Sequence, residues 1–228
     1  MIRKSLACLV LLLGACSNDG RSNVEHVGGF LADLVVPQGD AAPAEPPREL
    51  TRAELDQIPF ATVALSIDGS PRAFVVPLAD NGGYLSYMDA TRRGFVMQGG
   101  AVVGTLGLGI DLNGVRNGAS DPIAHPTPLA DWPGQVYRNY QYKVRDGAEY
   151  SISLTCIFER VASERIEIIE RSFDVVRVAE TCTNRQRQVV NQYWVEAESG
   201  FIWRSTQWVS PKQLPLTIEI IRPYREAN

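Results

Sequence analysis

From Thr51 to the end, the chain is built of short runs of β-branched and apolar residues separated by turn pairs, and this rhythm points to a mainly-β fold. Residues 61–67 (ATVALSI) run into Asp68 and Gly69, residues 72–78 stop at 80–83 (DNGG), and residues 84–89 follow. Residues 95–97 and 101–103 flank Gln98, Gly99 and Gly100, a hairpin pattern. Residues 135–144 and 150–158 are placed to pair across Arg145, Asp146 and Gly147. Residues 165–170 and 173–181 carry mixed alternation, 189–196 meets 201–209 across 197–200 (AESG), and 216–221 closes the chain. About 11–12 short strands at this spacing predict an antiparallel sandwich or a curved half-barrel. One short N-terminal helix precedes them: Thr51 and Glu54 have capping-box spacing, and Pro59 ends the helix. Residues 111–134, rich in Gly, Asn, Asp and Pro, read as a long irregular loop, and loops of that length are often functional.

The first residues have a different logic. Arg3 and Lys4 form a positive n-region, an apolar run follows from Leu6 to Leu13, and Gly14 and Ala15 lead to Cys16. That is the order of a secretory signal peptide, and the run is too short to span a membrane, which takes roughly 20 apolar residues. Leu13, Gly14, Ala15 and Cys16 resemble the lipobox of bacterial lipoproteins. The resemblance implies removal of residues 1–15, a diacylglycerol on the Cys16 thiol and acylation of the new amino terminus, with palmitate as the expected chain. Two or more chains anchor a protein stably where one binds marginally. Ser17 is permissive for the outer membrane, so its periplasmic face is the expected site and the inner membrane the lesser one. Residues 16–50 form a lipidated tether with Pro37, Pro43, Pro46 and Pro47, interrupted by an apolar patch from Phe30 to Val36. Residues 51–228 then form a single β domain.

The chain carries 22 Lys and Arg against 26 Asp and Glu, and loss of Arg3 and Lys4 makes it more acidic still. Such a balance offers no footprint for nucleic acid. With Cys8 discarded and Cys16 lipidated, Cys156 and Cys182 remain as an even pair in an oxidising compartment, where a disulfide is expected. There is no CxxC, and His26 and His125 are the only histidines, so neither a metal nor another cofactor is expected.

Several segments together resemble the YjbF/GfcB family of exopolysaccharide and group 4 capsule lipoproteins. They are residues 50–59 (LTRAELDQIP), 99–112 (GGAVVGTLGLGIDL), 180–182 (ETC), 191–194 (NQYW) and 205–211 (STQWVSP). Their order and spacing match from about residue 50 to the end, with Leu106 standing where the family segment has arginine. The resemblance implies a mainly-β periplasmic lipoprotein encoded with polysaccharide export or assembly genes. It carries over no catalytic residue. Its expected partners are export proteins or the polysaccharide itself.

Residue chemistry points the same way. Gly104, Gly107 and Gly109 have the wrong spacing for a dinucleotide fingerprint and read as a sharp turn or bulge leading to Asp111. Trp203 and Trp208 are five residues apart, which places them on opposite faces of a regular strand. Gly104, Gly107, Gly109, Asp111, Trp203 and Trp208 therefore make up a candidate ligand or partner surface. No Gly-x-Ser-x-Gly occurs, and Glu159, Glu164, Glu167 and Glu170 alternate with Arg160, Arg165 and Arg171 as on a solvated, ion-paired strand. The expected protein is not an enzyme. Two alternatives stand beside the accessory role: an acyl-chain or lipoprotein-carrier-like binding module, and a glycan-processing enzyme using a carboxylate pair.

Overall fold

The computed structural model describes residues 50–89, 92–143 and 147–224. The chain divides into two units, Met1–Gln38 and Gly39–Asn228, and the first lies wholly outside the described residues. The signal peptide, Cys16 and the tether up to residue 49 therefore also lie outside them.

Helix α1 (Arg52–Asp56) opens the second unit with the expected capping box: Thr51 Oγ1 accepts from the Glu54 amide, and Glu54 Oε2 accepts from the Thr51 amide at 2.8 Å. Thirteen strands follow. β1 (Thr62–Ile67) and β2 (Ala73–Val75) pair as a hairpin. β3 (Pro77–Asp80), β4 (Tyr84–Met88), β5 (Gly94–Gln98) and β6 (Ala101–Leu106) form a four-stranded meander. The remaining strands are β7 (Leu112–Asn117), β8 (Gln135–Lys143), β9 (Glu149–Ile168), β10 (Arg171–Thr183), β11 (Gln188–Val195), β12 (Ile202–Gln207) and β13 (Leu216–Arg222). With β1 and β2 they make a nine-stranded antiparallel sheet ordered β2-β1-β13-β12-β11-β10-β9-β8-β7. Only the β1–β13 pairing in it joins strands distant in sequence.

Val76 alone separates β2 in the large sheet from β3 in the small one, and residues 107–111 separate β6 from β7. The core lies between the sheets. Val63, Val75, Tyr140, Tyr142, Leu154, Leu216 and Ile218 of the large sheet pack with Tyr87, Phe95, Met97 and Val102 of the small one. The mainly-β antiparallel expectation holds, as a sandwich with no closed barrel.

Two expectations need correction. The charged stretch after Phe158 does not break a strand. β9 runs for 20 residues and β10 for 13, and their turn places Ile169 and Glu170 at φ 43° and 61°. Most charged residues along this hairpin stand exposed, and a bulge where Arg177 and Val178 meet Ala162 and Arg160 carries the ladder past them. Nor is 111–134 irregular throughout. Leu112–Asn117 is strand β7, and its Asn and Gly content, which mimics a loop, belongs to a sheet edge.

The rest of that segment is a loop pinned at a few points. Residues 121–124 are all buried. The Ile123 carbonyl accepts from the Gly100 amide at 2.7 Å, and the Leu129 carbonyl accepts from Arg160 Nη2 at 2.7 Å. The Leu129 amide in turn donates to the Ala197 carbonyl at 2.9 Å. Buried apolar residues at intervals hold this loop against the sheet.

Candidate functional site

Strand β8 sets the site by alternation. Val136, Arg138, Tyr140 and Tyr142 face the core, and Gln135, Tyr137, Asn139 and Gln141 face out. Arg138 is the anomaly, a guanidinium 3% exposed in an apolar register. It is held on two sides. Arg138 Nε and Nη2 donate to the Asp121 carboxylate at 2.5 and 2.8 Å, and Nη1 pairs with Glu180 Oε1 at 2.7 Å. Burial alone would lower the Arg138 pKa, but Glu180 and Asp121 outweigh it and hold the pKa well above its ordinary value.

The network continues across the sheet. Glu180 Oε2 accepts from Asn191 Nδ2 at 2.7 Å and from the Tyr193 hydroxyl at 2.9 Å. Asn191 Oδ1 accepts from the Trp208 amide at 2.8 Å. Nearby, Gln207 Nε2 donates to the Gly100 carbonyl at 2.8 Å and to Ser205 Oγ at 2.9 Å, while Gln207 Oε1 accepts from the Val102 amide at 3.0 Å. Burial, reinforced by Glu180, pushes the Tyr193 phenol well up, and burial raises Tyr140 against the opposing pull of Arg138. Unpaired, such buried charges would be costly; here each finds a partner.

Beside this network, Cys156 and Cys182 sit opposite each other on β9 and β10 and form the expected disulfide, with Cα atoms 3.9 Å apart. The Glu180 carboxylate lies within 4.8 Å of both sulfurs. The sulfurs are bonded to each other, so the three groups make no metal site in the oxidised protein.

The expected ligand surface is not assembled as one face. Asp111 closes the glycine turn from within: it accepts from the Gly107 amide at 2.8 Å, the Leu108 amide at 3.0 Å and the Thr105 hydroxyl at 3.2 Å. Gly107 and Gly109 hold φ of 72° and 115°, a geometry that favours glycine, and Gly104 sits in β6 against Val96. Trp208 is buried, edge-on to Tyr140 and Tyr142. The chain leaves β12 at Gln207, so the strand alternation that would have turned Trp208 outward stops there. Trp203 stacks on Phe173 at 3.9 Å, half-buried and remote from the glycine turn in the sheet order. His125 donates its amide to the Asp121 carbonyl at 2.9 Å in a backbone turn.

The network was missed in the sequence, yet it has a signature. Arg138 shares the parity of Val136, Tyr140 and Tyr142, and Glu180 stands between Val178 and Cys182 on the buried face of β10. A charge in an apolar register calls for a buried partner.

Glu180, Asn191, Tyr193, Ser205, Gln207 and Trp208 come from three separate sequence segments, and they meet here. Residues 31–221 match the model of the family described as group 4 capsule polysaccharide lipoprotein GfcB, YjbF. The chain belongs to this family. Among its relatives, the uncharacterized lipoprotein YjbF of Escherichia coli K12 is 24% identical over 99% of this chain and 100% of its own length. The uncharacterized lipoprotein GfcB of the same organism is 22% identical over 96% and 97%. The crystal structure of the hypothetical lipoprotein YmcC from Escherichia coli K12 shares the fold: TM-score 0.64, 20% identity, 78% of this chain and 92% of that one. No helix among the described residues is long and apolar enough to cross a membrane.

Proposed function

We propose that this lipoprotein is a non-enzymatic accessory of exopolysaccharide or capsule export and assembly, anchored through Cys16 to the periplasmic face of the outer membrane. The family match over residues 31–221 carries the reading. The signal-peptide order, the lipobox residues before Cys16 and the permissive Ser17 support the location. Its partners are export proteins or the polymer.

The interior favours this reading over both alternatives. Tyr140, Tyr142, Trp208 and Leu154 fill the space between the sheets, and the apolar depressions measure about 110 and 200 Å³. Ligand cavities usually measure roughly 300–1,000 Å³, so an acyl chain has little room. Asp121 and Glu180 do converge, but both are 0% exposed and Arg138 fills the space between them, where a glycosidase needs its substrate.

The test is genetic. Deletion should lower surface polysaccharide, wild-type protein should restore it, and a Cys16→Ser form should not. Unchanged polymer in the deletion strain would refute the reading, and full rescue by Cys16→Ser would refute the anchored form of it.

A further inference from the structure

The outer face of the large sheet changes character along β9. Toward the β9–β10 turn it carries charge, with Arg177 paired to Glu164 at 3.6 Å. Next to edge strand β7, between that pair and the exposed Lys143 and Glu149 at the strand ends, carboxamides and hydroxyls take over. Asn139 and Gln141 of β8 and Ser151 of β9 line a depression of about 830 Å³ there, with Tyr137 standing 59% exposed beside them. Of the two charged residues on its wall, Asp121 is already bound to Arg138, which leaves Arg116.

Two observations give this depression a ligand chemistry. Its neutral side chains each donate and accept hydrogen bonds, as sugar hydroxyls do, and an exposed phenol ring offers an apolar platform for a pyranose face. Arg116, exposed and paired in register with Asn139, stands on this outer face as well, whereas Asn117 pairs with Arg138 and turns its buried carboxamide to the inner face.

We propose that this depression is a glycan-binding subsite that holds a segment of polysaccharide chain, with Tyr137 as the stacking platform and Asn139 and Gln141 as hydrogen-bonding groups. The inference rests on the polysaccharide reading above and adds the surface that meets the polymer. The buried Asp121–Arg138 pair has a positioning part, since it ties the loop carrying Asp121 to the inner face of the strand that presents Tyr137.

The experiment uses the full-length lipoprotein in detergent. The probe is oligosaccharides made by partial acid hydrolysis of the producing strain's own surface polysaccharide, and binding is followed by titration calorimetry. Wild-type protein should bind. Tyr137→Ala and Gln141→Ala should each weaken binding about tenfold, the size of one lost contact. Val161→Ala, at an exposed β9 position outside the depression, should bind as wild type does. Thermal unfolding separates binding from folding: Tyr137→Ala and Gln141→Ala should both leave the midpoint nearly unchanged, since both side chains stand on the outer face. Failure of wild-type protein to bind, or full binding by both variants, would overturn the subsite. If the deletion strain nevertheless lacks polymer, the accessory role survives that failure.

Discussion

Strands β8 and β9 present polar groups on both faces, and the two faces satisfy them in opposite ways. Inside, Arg138 is locked between Asp121 and Glu180, and Glu180 is further bound by Asn191 and Tyr193. Outside, Tyr137, Asn139 and Gln141 stand one residue away from the buried register and are uncharged. Asn139 Nδ2 reaches Ser153 Oγ at 2.9 Å, and the Tyr137 ring stands 59% exposed. A polar group that is fully paired in the interior specifies structure, while one at the surface is available to something from outside. On this view the inner face holds the strands in place and the outer face uses them.

The comparison can be broken by substitutions on either side. The largest effect is expected from Arg138→Met, which leaves two buried carboxylates without their cation. Loss of about 3–5 kcal/mol of unfolding free energy is expected in urea titrations at neutral pH. A variant as stable as wild type would show that the network is dispensable.

Next comes the disulfide. Cys156 and Cys182 lie 26 residues apart, and the chain-entropy model gives roughly 3–4 kcal/mol for closing such a loop. A Cys156→Ala/Cys182→Ala variant should unfold at correspondingly lower urea, and its circular dichroism should still show the sheet. Much smaller is Tyr137→Ala, where a change within about 0.5 kcal/mol is expected because the ring is exposed. Smallest is Asp174→Asn. Its hydrogen bond from Arg165 holds the Asp174 carboxyl below its ordinary pKa, which on its own would favour the fold above the unfolded pKa and lose that contribution as pH falls. Both partners are solvent-exposed, so no shift in unfolding midpoint is expected at physiological salt.

How far the sequence reveals these features depends on whether they are local. The capping box at Thr51 and Glu54, the 95–103 hairpin and the 189–209 hairpin are local patterns and stand as expected. The 150–158 and 165–170 runs read as separate strands because residue type alone does not show that the chain passes the bulge near Val161 in one ladder. β7 looked like loop because an edge strand tolerates Asn and Gly. Trp208 reads as a possible surface residue until the end of β12 is known, since parity holds only while a strand lasts. The Arg138 network draws on residues 121, 138, 180, 191 and 193, and only the parity of Arg138 and Glu180 hints at it in one dimension. The depression around Tyr137 depends on a loop that folds back onto its own sheet, which no local pattern announces.

The central claim is that this lipoprotein serves polysaccharide assembly through the outer face of β7 and β8. It is tested most directly by measuring surface polysaccharide in a deletion strain that expresses the Tyr137→Ala/Gln141→Ala double variant at wild-type abundance. The account predicts polymer close to the deletion level, with the variant still folded and membrane-bound. Polymer at the wild-type level, in a background where deletion itself removes it, would contradict the claim.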